Sequence, residues 1–350
     1  MYRREQTKKV KVGNLVIGGD APISVQSMAN TDTQNVSATV AQIKRMEKEG
    51  CELVRVAVPD LDSCSSLPLI KREINIPLVA DIHFDYKLAL KSLEQGVDGL
   101  RINPGNIKNR EKLKLIIKSA QEKDIPIRFG INSGSLDSQI LKKYKRATPE
   151  ALVESAQKVI TLLEEIDYHK VGFSLKSTSV TDTIEANILF SSKYDYPLHL
   201  GITEAGPYFP GVIKSSIGIG ILLYRGIGNT IRVSLTDDPV KEVRVGYEIL
   251  KALNLRQRGP QIISCPTCAR CQVDLKEVMQ EVEEKLAEVN KTLTIAIMGC
   301  MVNGPGEARE ADIGVAYHKK TALLFKKGKI IGRFSDQIII DKLLEEIKNM

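Results

Sequence analysis

No stretch of this 350-residue chain is long and apolar enough to read as a membrane span; the most apolar helix candidate, around IGIGILLYRG, is interrupted by glycines, lysine and arginine. The opening MYRREQTKKV is charged and carries no apolar core of a secretory signal, so a cytoplasmic protein with reduced thiols is expected. Although the formal net charge is +7, no basic run forms a tail or an arginine-rich helix. The surplus is therefore expected to be spread out or gathered in a pocket, with neither nucleic acid nor membrane as a partner. No glycine-rich dinucleotide fingerprint follows the first strand candidate, which argues against a Rossmann-type sheet. With 43% hydrophobic and 27% charged residues, composition gives no sign of disorder.

What is present is alternation. From Ile23 to Asn254, short β-branched runs take turns with longer amphipathic segments, and eight such pairs can be counted. The strand candidates are ISVQSM, LVRVAV, PLVADIH, GLRINPG, PIRFGIN, HKVGFSLK, PLHLGIT and TIRVSL; helical patterns such as NREKLKLIIKSAQEK follow them. This repetition predicts a (β/α)8 TIM barrel over residues 1–258.

Side chains alternate between the faces of a strand, and here the two faces separate by chemistry. One parity, including Val54, Val56, Leu100, Ile102, Phe129, Ile131, Phe173, Leu175 and Val233, suits packing under helices. The other holds Gln26, Arg55, Asp81, His83, Arg101, Asn103, Arg128, Asn132, Lys170, Ser174, Lys176, Arg232 and Ser234. That face is expected to line the lumen, where branched apolar residues are the rule. Only Asp81 is acidic among them, so the chain is expected not to neutralise its own cations and to take a phosphate or diphosphate instead. Lys170, early in its strand, is expected to reach solvent at the rim. Glu204, in GITEAG, falls in the loop after its strand, where a carboxylate can act as general acid.

After the polar stretch LRQRGPQ a second, smaller α+β domain is expected over 259–350. Four of the six cysteines lie there, in Cys265-Pro-Thr-Cys268-Ala-Arg-Cys271 and in MGCMVNGPGE with Cys300, and Glu307 stands just beyond. Thiolates at this spacing can hold an iron–sulfur cluster, and a tetrahedral zinc site could use the same residues. With zinc, the chain would be a non-redox phosphate-binding barrel enzyme carrying a structural knob. Spacing alone makes Glu307 an ordinary surface glutamate. Cys51 and Cys64 read as small buried hydrophobes.

Taken together, LVRVAV, LRINPGN, IRFGINSGSL, GFSLKST, LGITEAG, CPTC and MGCMVNGPGEA, in this order, resemble the bacterial 4-hydroxy-3-methylbut-2-enyl diphosphate synthases of the methylerythritol phosphate route, over nearly the whole chain. The resemblance implies an iron–sulfur oxidoreductase with a [4Fe–4S] cluster on Cys265, Cys268, Cys300 and Glu307, Glu307 being both ligand and catalytic group. It implies 2-C-methyl-D-erythritol 2,4-cyclodiphosphate as substrate, cradled by Arg55, Arg101, Arg128, Asn132, Lys176 and Ser234, with Arg232 and Asp81 beside them and Glu204 as the acid–base residue. It further implies a ferredoxin or flavodoxin as electron donor and a head-to-tail homodimer. Ala269 and Cys271 depart from the family's CPSCGRT pattern, and Cys271 is expected not to ligate.

Overall fold

Each of the eight predicted strands forms, and they close on themselves in chain order. The computed structural model describes residues 2–107, 109–286, 289, 291–302 and 309–350. A short antiparallel hairpin, β1 (Val10–Val12) and β2 (Leu15–Ile17), precedes the barrel strands β3 (Ser24–Met28), β4 (Leu53–Ala57), β5 (Leu78–Ile82), β6 (Gly99–Ile102), β7 (Ile127–Asn132), β8 (Val171–Lys176), β9 (His199–Leu200) and β10 (Thr230–Ile231). The sheet runs β8-β7-β6-β5-β4-β3-β10-β9, all parallel. A bridge between Phe173 and Leu198 closes it, and the Phe173 N–H donates to the Pro197 carbonyl at 3.0 Å.

Between the strands run helices whose starts are set by side-chain caps. Asn35, Asp60, Asp85, Asn109, Thr148, Ser179 and Asp238 each accept a backbone N–H of the first turn that would otherwise be orphaned. All of these caps but Thr148, which follows the short helix Ser138–Tyr144, come directly after a strand and fix where the chain turns at the C-terminal mouth of the barrel.

The apolar parity packs outward as expected. Val54, Ile102, Phe129, Phe173 and Leu175 are fully buried against the helices in one continuous core. Within it Phe173 sits 5.9 Å from Phe129 and 5.3 Å from Phe190, centroid to centroid, tilted rather than stacked face to face.

The hairpin is a structural feature that periodicity did not bring out. Val10, Val12 and Ile17 pack against the lumen residues Leu53 and Val79, forming a separate apolar cluster that stops the N-terminal end of the barrel. The lumen therefore has an apolar floor and polar walls. A cavity of about 50 Å³ lies above the floor, beneath Gln26, Arg128 and His199.

The chain divides into two compact units between Arg256 and Gln257. The second contains a five-stranded sheet of β11 (Gln261–Ser264), β12 (Thr294–Met298), β13 (Ile313–His318), β14 (Thr321–Lys326) and β15 (Lys329–Ser335). The first three strands are parallel and the last two return as hairpins. Helices Leu275–Leu286 and Ile339–Lys348 cover one face through Val282, Leu286, Ile339, Leu343 and Ile347. Strand β11 begins at Gln261, the last residue of the stretch read as linker. No described helix is long and apolar enough to cross a membrane.

Candidate active site

The lumen is built from the inward-facing residues of the strands, and glycines make the room. A Cβ on Gly130 would lie 2.5 Å from Arg101 Nε, and one on Gly201 would lie 2.6 Å from Lys176 Nζ. These two positions let long cationic side chains lie across the wall instead of standing out from it.

Asp81 organises the cations. Its carboxylate accepts from Arg101 Nη1 at 3.1 Å and lies 3.5 Å from Arg55 Nε and from His83 Nε2. Burial would raise its pKa; Arg55, His83 and Arg101 win and hold it well below the usual carboxylate range. Arg101 Nη1 also reaches His83 Nε2 at 3.0 Å. Arg55 rests on the Met28 thioether at 3.0–3.2 Å, a weak acceptor for a guanidinium. Its pKa is pushed down to about 10 by burial, against Asp81 and with Arg232 and Arg101, and it stays charged at neutral pH.

Opposite, Arg128 on β7 donates across the lumen to Gln26 Oε1 on β3 at 2.6 Å. Burial, with Arg55 and Arg101 nearby, opposes its charge strongly. Lys176 is 9% exposed and has no ion pair among the described residues; burial and the neighbouring Arg128 and Arg232 drive its pKa well below the usual lysine range. The lumen thus sets four formal cations, Arg55, Arg101, Arg128 and Lys176, against the single carboxylate of Asp81.

Several of its polar atoms are buried without a hydrogen-bond partner among the described residues: Arg101 Nε, Arg128 Nε and Nη2, Gln26 Nε2, Asn132 Oδ1 and His199 Nε2. Leaving such groups unsatisfied costs about 1–3 kcal/mol each. An anion with several oxygens satisfies the donors and the charge together.

One expectation is overturned. The chain does neutralise two of its lumen-parity cations, Lys170 at the rim and Arg232 within: Arg232 donates through Nε and Nη2 to both carboxylate oxygens of Glu242, each at 3.1 Å. Glu242 comes from the helix Pro239–Ala252, outside the strand pattern. It is 3% exposed and also accepts from Ser27 Oγ and the Leu235 N–H. Lys170 is exposed at the rim and pairs with Asp124, as its position early in the strand suggested. Ser234 is partly buried two residues beyond Arg232. Glu204 sits exposed in the turn after β9 at the mouth, with a left-handed backbone (φ 52°) that a non-glycine adopts at some cost.

His199 lies outside the site residues expected from sequence. It is 1% exposed, its Nδ1 lies 3.4 Å from Thr230 Oγ1, and its Nε2 has no partner among the described residues. Burial, then Arg128 and Lys176, holds it well below the usual histidine range, so the ring is neutral. The parity of PLHLGIT, which puts His199 on the same face as Gly201, was the available signal.

In the second unit the two cysteine loops meet at Gly299. Its N–H donates to Cys265 Sγ at 3.2 Å, and its carbonyl accepts from the Gln272 N–H at 2.9 Å. A Cβ there would lie 2.4 Å from Cys271 Sγ. Cys271 closes its own turn, its N–H donating to the Cys268 carbonyl at 2.9 Å and its thiol to the Val273 carbonyl at 3.3 Å. Cys268 is exposed; Cys265 and Cys300 are half-buried. Among the described residues no three histidine, cysteine or acidic side chains are gathered to hold a metal ion. Glu307 lies outside the described residues.

Comparison with known proteins decides the family. The GcpE TIM-barrel domain matches residues 7–247 and the GcpE protein C-terminal domain matches residues 261–349. The chain belongs to the GcpE family. A relative from Caldanaerobacter subterraneus subsp. tengcongensis is 56% identical over 99% of this chain and 98% of its own length. Another from Thermodesulfovibrio yellowstonii is 53% identical over 99% of this chain and 100% of its own. Both are named 4-hydroxy-3-methylbut-2-en-1-yl diphosphate synthase (flavodoxin). Among solved structures, dihydropteroate synthase from Stenotrophomonas maltophilia matches with a TM-score of 0.52 at 10% identity, covering 72% of this chain and 100% of that one. This likeness reflects the barrel fold alone.

Proposed function

We propose that this GcpE-family chain reduces 2-C-methyl-D-erythritol 2,4-cyclodiphosphate by two electrons and two protons, opening the ring with loss of one water to give 4-hydroxy-3-methylbut-2-enyl diphosphate. Full-length identity of 53–56% to relatives named for that product supports the reaction. The observation that supports the substrate class is the lumen, where four cations, Arg101 and Lys176 buried among them, meet one carboxylate and the donors Arg101 Nε and Arg128 Nε and Nη2 have no partner among the described residues.

In this reading Arg55, Arg101, Arg128 and Lys176 take the diphosphate oxygens, which removes the self-repulsion that opposes charge on Arg128 and Lys176. Asn132, with its free Oδ1, accepts from a substrate hydroxyl, and Ser234 closes the cradle on the β10 side. Asp81 holds Arg55 and Arg101 in place, and Arg232, already fixed by Glu242, borders the site. Glu204 at the mouth delivers the proton to the departing hydroxyl.

A [4Fe–4S] cluster is held by Cys265, Cys268, Cys300 and Glu307. The donor chemistry supports this: soft thiols arrive from two loops that meet at Gly299, and a backbone N–H already points at Cys265 Sγ, as a thiolate ligand requires. Cys271 stays out, its thiol being engaged with its own loop. Bound there, the cluster supplies electrons singly, received from a flavodoxin, the donor in the relatives' names. The enzyme works in the cytoplasm as a head-to-tail homodimer, so that the cysteine unit of one copy serves the barrel of the other.

Anaerobic incubation of the iron-loaded protein with the cyclic diphosphate and reduced flavodoxin tests the reading. The expected result is stoichiometric allylic diphosphate by mass spectrometry. A colourless protein with one tightly held zinc and no product would sink it.

A further inference from the structure

Between the apolar floor of the lumen and its polar walls lies the cavity of about 50 Å³. Val10, Val12, Ile17, Leu53 and Val79 line it on the floor side, and the polar side chains that border it include Gln26, Arg128 and His199. Gln26 and His199 are each 1% exposed. Gln26 Nε2, Arg128 Nε and Nη2, and His199 Nε2 are shut off from solvent and have no hydrogen-bond partner among the described residues.

The chemistry of these four atoms decides what suits the cavity. Gln26 uses its amide oxygen to accept from Arg128 Nη1, so its unpaired end is the NH2 group, which donates. The nitrogens of Arg128 can only donate. His199 Nδ1 lies 3.4 Å from the Thr230 hydroxyl; a hydroxyl that donates to Nδ1 leaves the ring proton on Nε2, a further donor. The unpaired side-chain atoms bordering the cavity are then all donors. A water molecule among them finds hydrogens for its lone pairs but no side-chain acceptor for its own hydrogens. An anion without hydrogens meets no such deficit.

Charge points the same way. Burial, with Arg55 and Arg101 nearby, opposes the charge on Arg128, and the lumen carboxylate of Asp81 is already engaged by Arg101, Arg55 and His83. A negative charge on the floor side of Arg128 offsets that opposition. The space exceeds the roughly 30 Å³ share of one water in the liquid, which suits a single monatomic ion. Apolar walls favour an ion that gives up its hydration readily.

We propose that this cavity is a halide site, with a chloride ion held by Arg128, Gln26 Nε2 and His199 Nε2 beneath the substrate cradle. The ion is a counter-charge that keeps Arg128 ionised and in place when no substrate is bound. Arg128 has donors enough for both the ion and a phosphate oxygen on the mouth side. The ion sits there whatever substrate the cradle takes.

Bromide, which scatters anomalously, locates the site directly in crystals of the full-length protein. An anomalous peak within hydrogen-bonding reach of Arg128, Gln26 Nε2 and His199 Nε2 is expected. Density in the cavity without anomalous signal identifies water and overturns the proposal, as does bromide found only at the surface or nearer the mouth. In solution, chloride replaces gluconate, which is too large for the cavity, at constant ionic strength. The melting temperature of the iron-loaded, substrate-free protein should rise by roughly 3 °C once chloride stands about tenfold above its dissociation constant. Bromide should act alike. Gln26→Glu supplies the negative charge from the chain itself and should abolish the halide effect. Equal melting in chloride and gluconate would mean binding at crystal concentration only, and a halide effect undiminished in Q26E would place the ion elsewhere; either result overturns the proposal.

Discussion

The barrel lumen and the cysteine unit solve opposite problems. In the lumen, charged side chains are set in place before any ligand arrives: Asp81 ties Arg55, Arg101 and His83, Gln26 holds Arg128, and Glu242 holds Arg232. The arrangement leaves unpaired donors and crowded cations inside a barrel whose apolar core carries the stability. The cysteines, in contrast, lie on two loops that meet at Gly299, Cys268 exposed and the others partly so, and no three potential metal ligands are gathered among the described residues. One site is preorganised at a cost in stability; the other is completed by what it binds.

The sharpest way to break that contrast is at the ligands. Cys265→Ser should abolish cluster assembly, read as loss of iron and acid-labile sulfide, and with it all turnover, while calorimetric binding of the cyclic diphosphate to the barrel stays within about twofold of wild type. Loss of substrate binding in that variant would mean the two sites are not separable.

Next in size is Arg128→Met. Removing this buried donor should weaken substrate binding by about 10²–10³-fold, yet raise the melting temperature of the ligand-free protein, because an opposed buried charge is replaced by an apolar chain of similar reach. Parallel losses of affinity and stability would show that Arg128 is a structural residue first.

A smaller effect separates the two sites by pH. His199 has a folded pKa below its unfolded value near 6.5, so the unfolded chain binds the extra proton and stability falls as pH drops below about 6.5. The slope is at most about 1.4 kcal/mol per pH unit. Denaturant titrations from pH 7 to pH 5 should show this slope in wild type and a shallower one in His199→Gln. Equal slopes would place His199 outside the titrating set. Smallest of all, Cys271→Ser should leave iron content and turnover within about twofold of wild type, and loss of the cluster would reassign the third thiolate.

Much of the barrel could be read from alternation, because each strand is buried on both faces and its two parities differ in chemistry. Arg55, Arg101, Arg128 and Lys176 were therefore legible as lumen residues. Glu242 was not, since it sits on a helix among other charged residues and meets Arg232 only through the closure of the fold. The hairpin floor could have been read: Val10, Val12, Leu15 and Ile17 flank a Gly13-Asn14 turn, and Gly13 adopts φ 56°. Three-residue strands, however, leave too little period to count. His199 is not legible in this way, since β9 is only two residues long in the regular sheet and a lone histidine there carries little pattern.

The stopper formed by Val10, Val12 and Ile17 against Leu53 and Val79 makes the lumen a vessel with a single doorway. On the proposed assignment of the lumen cations to the diphosphate, substrate and product would share that passage and the same cations, so the product would compete with the next substrate molecule for entry. Anything that covers the mouth then regulates arrival and departure at once.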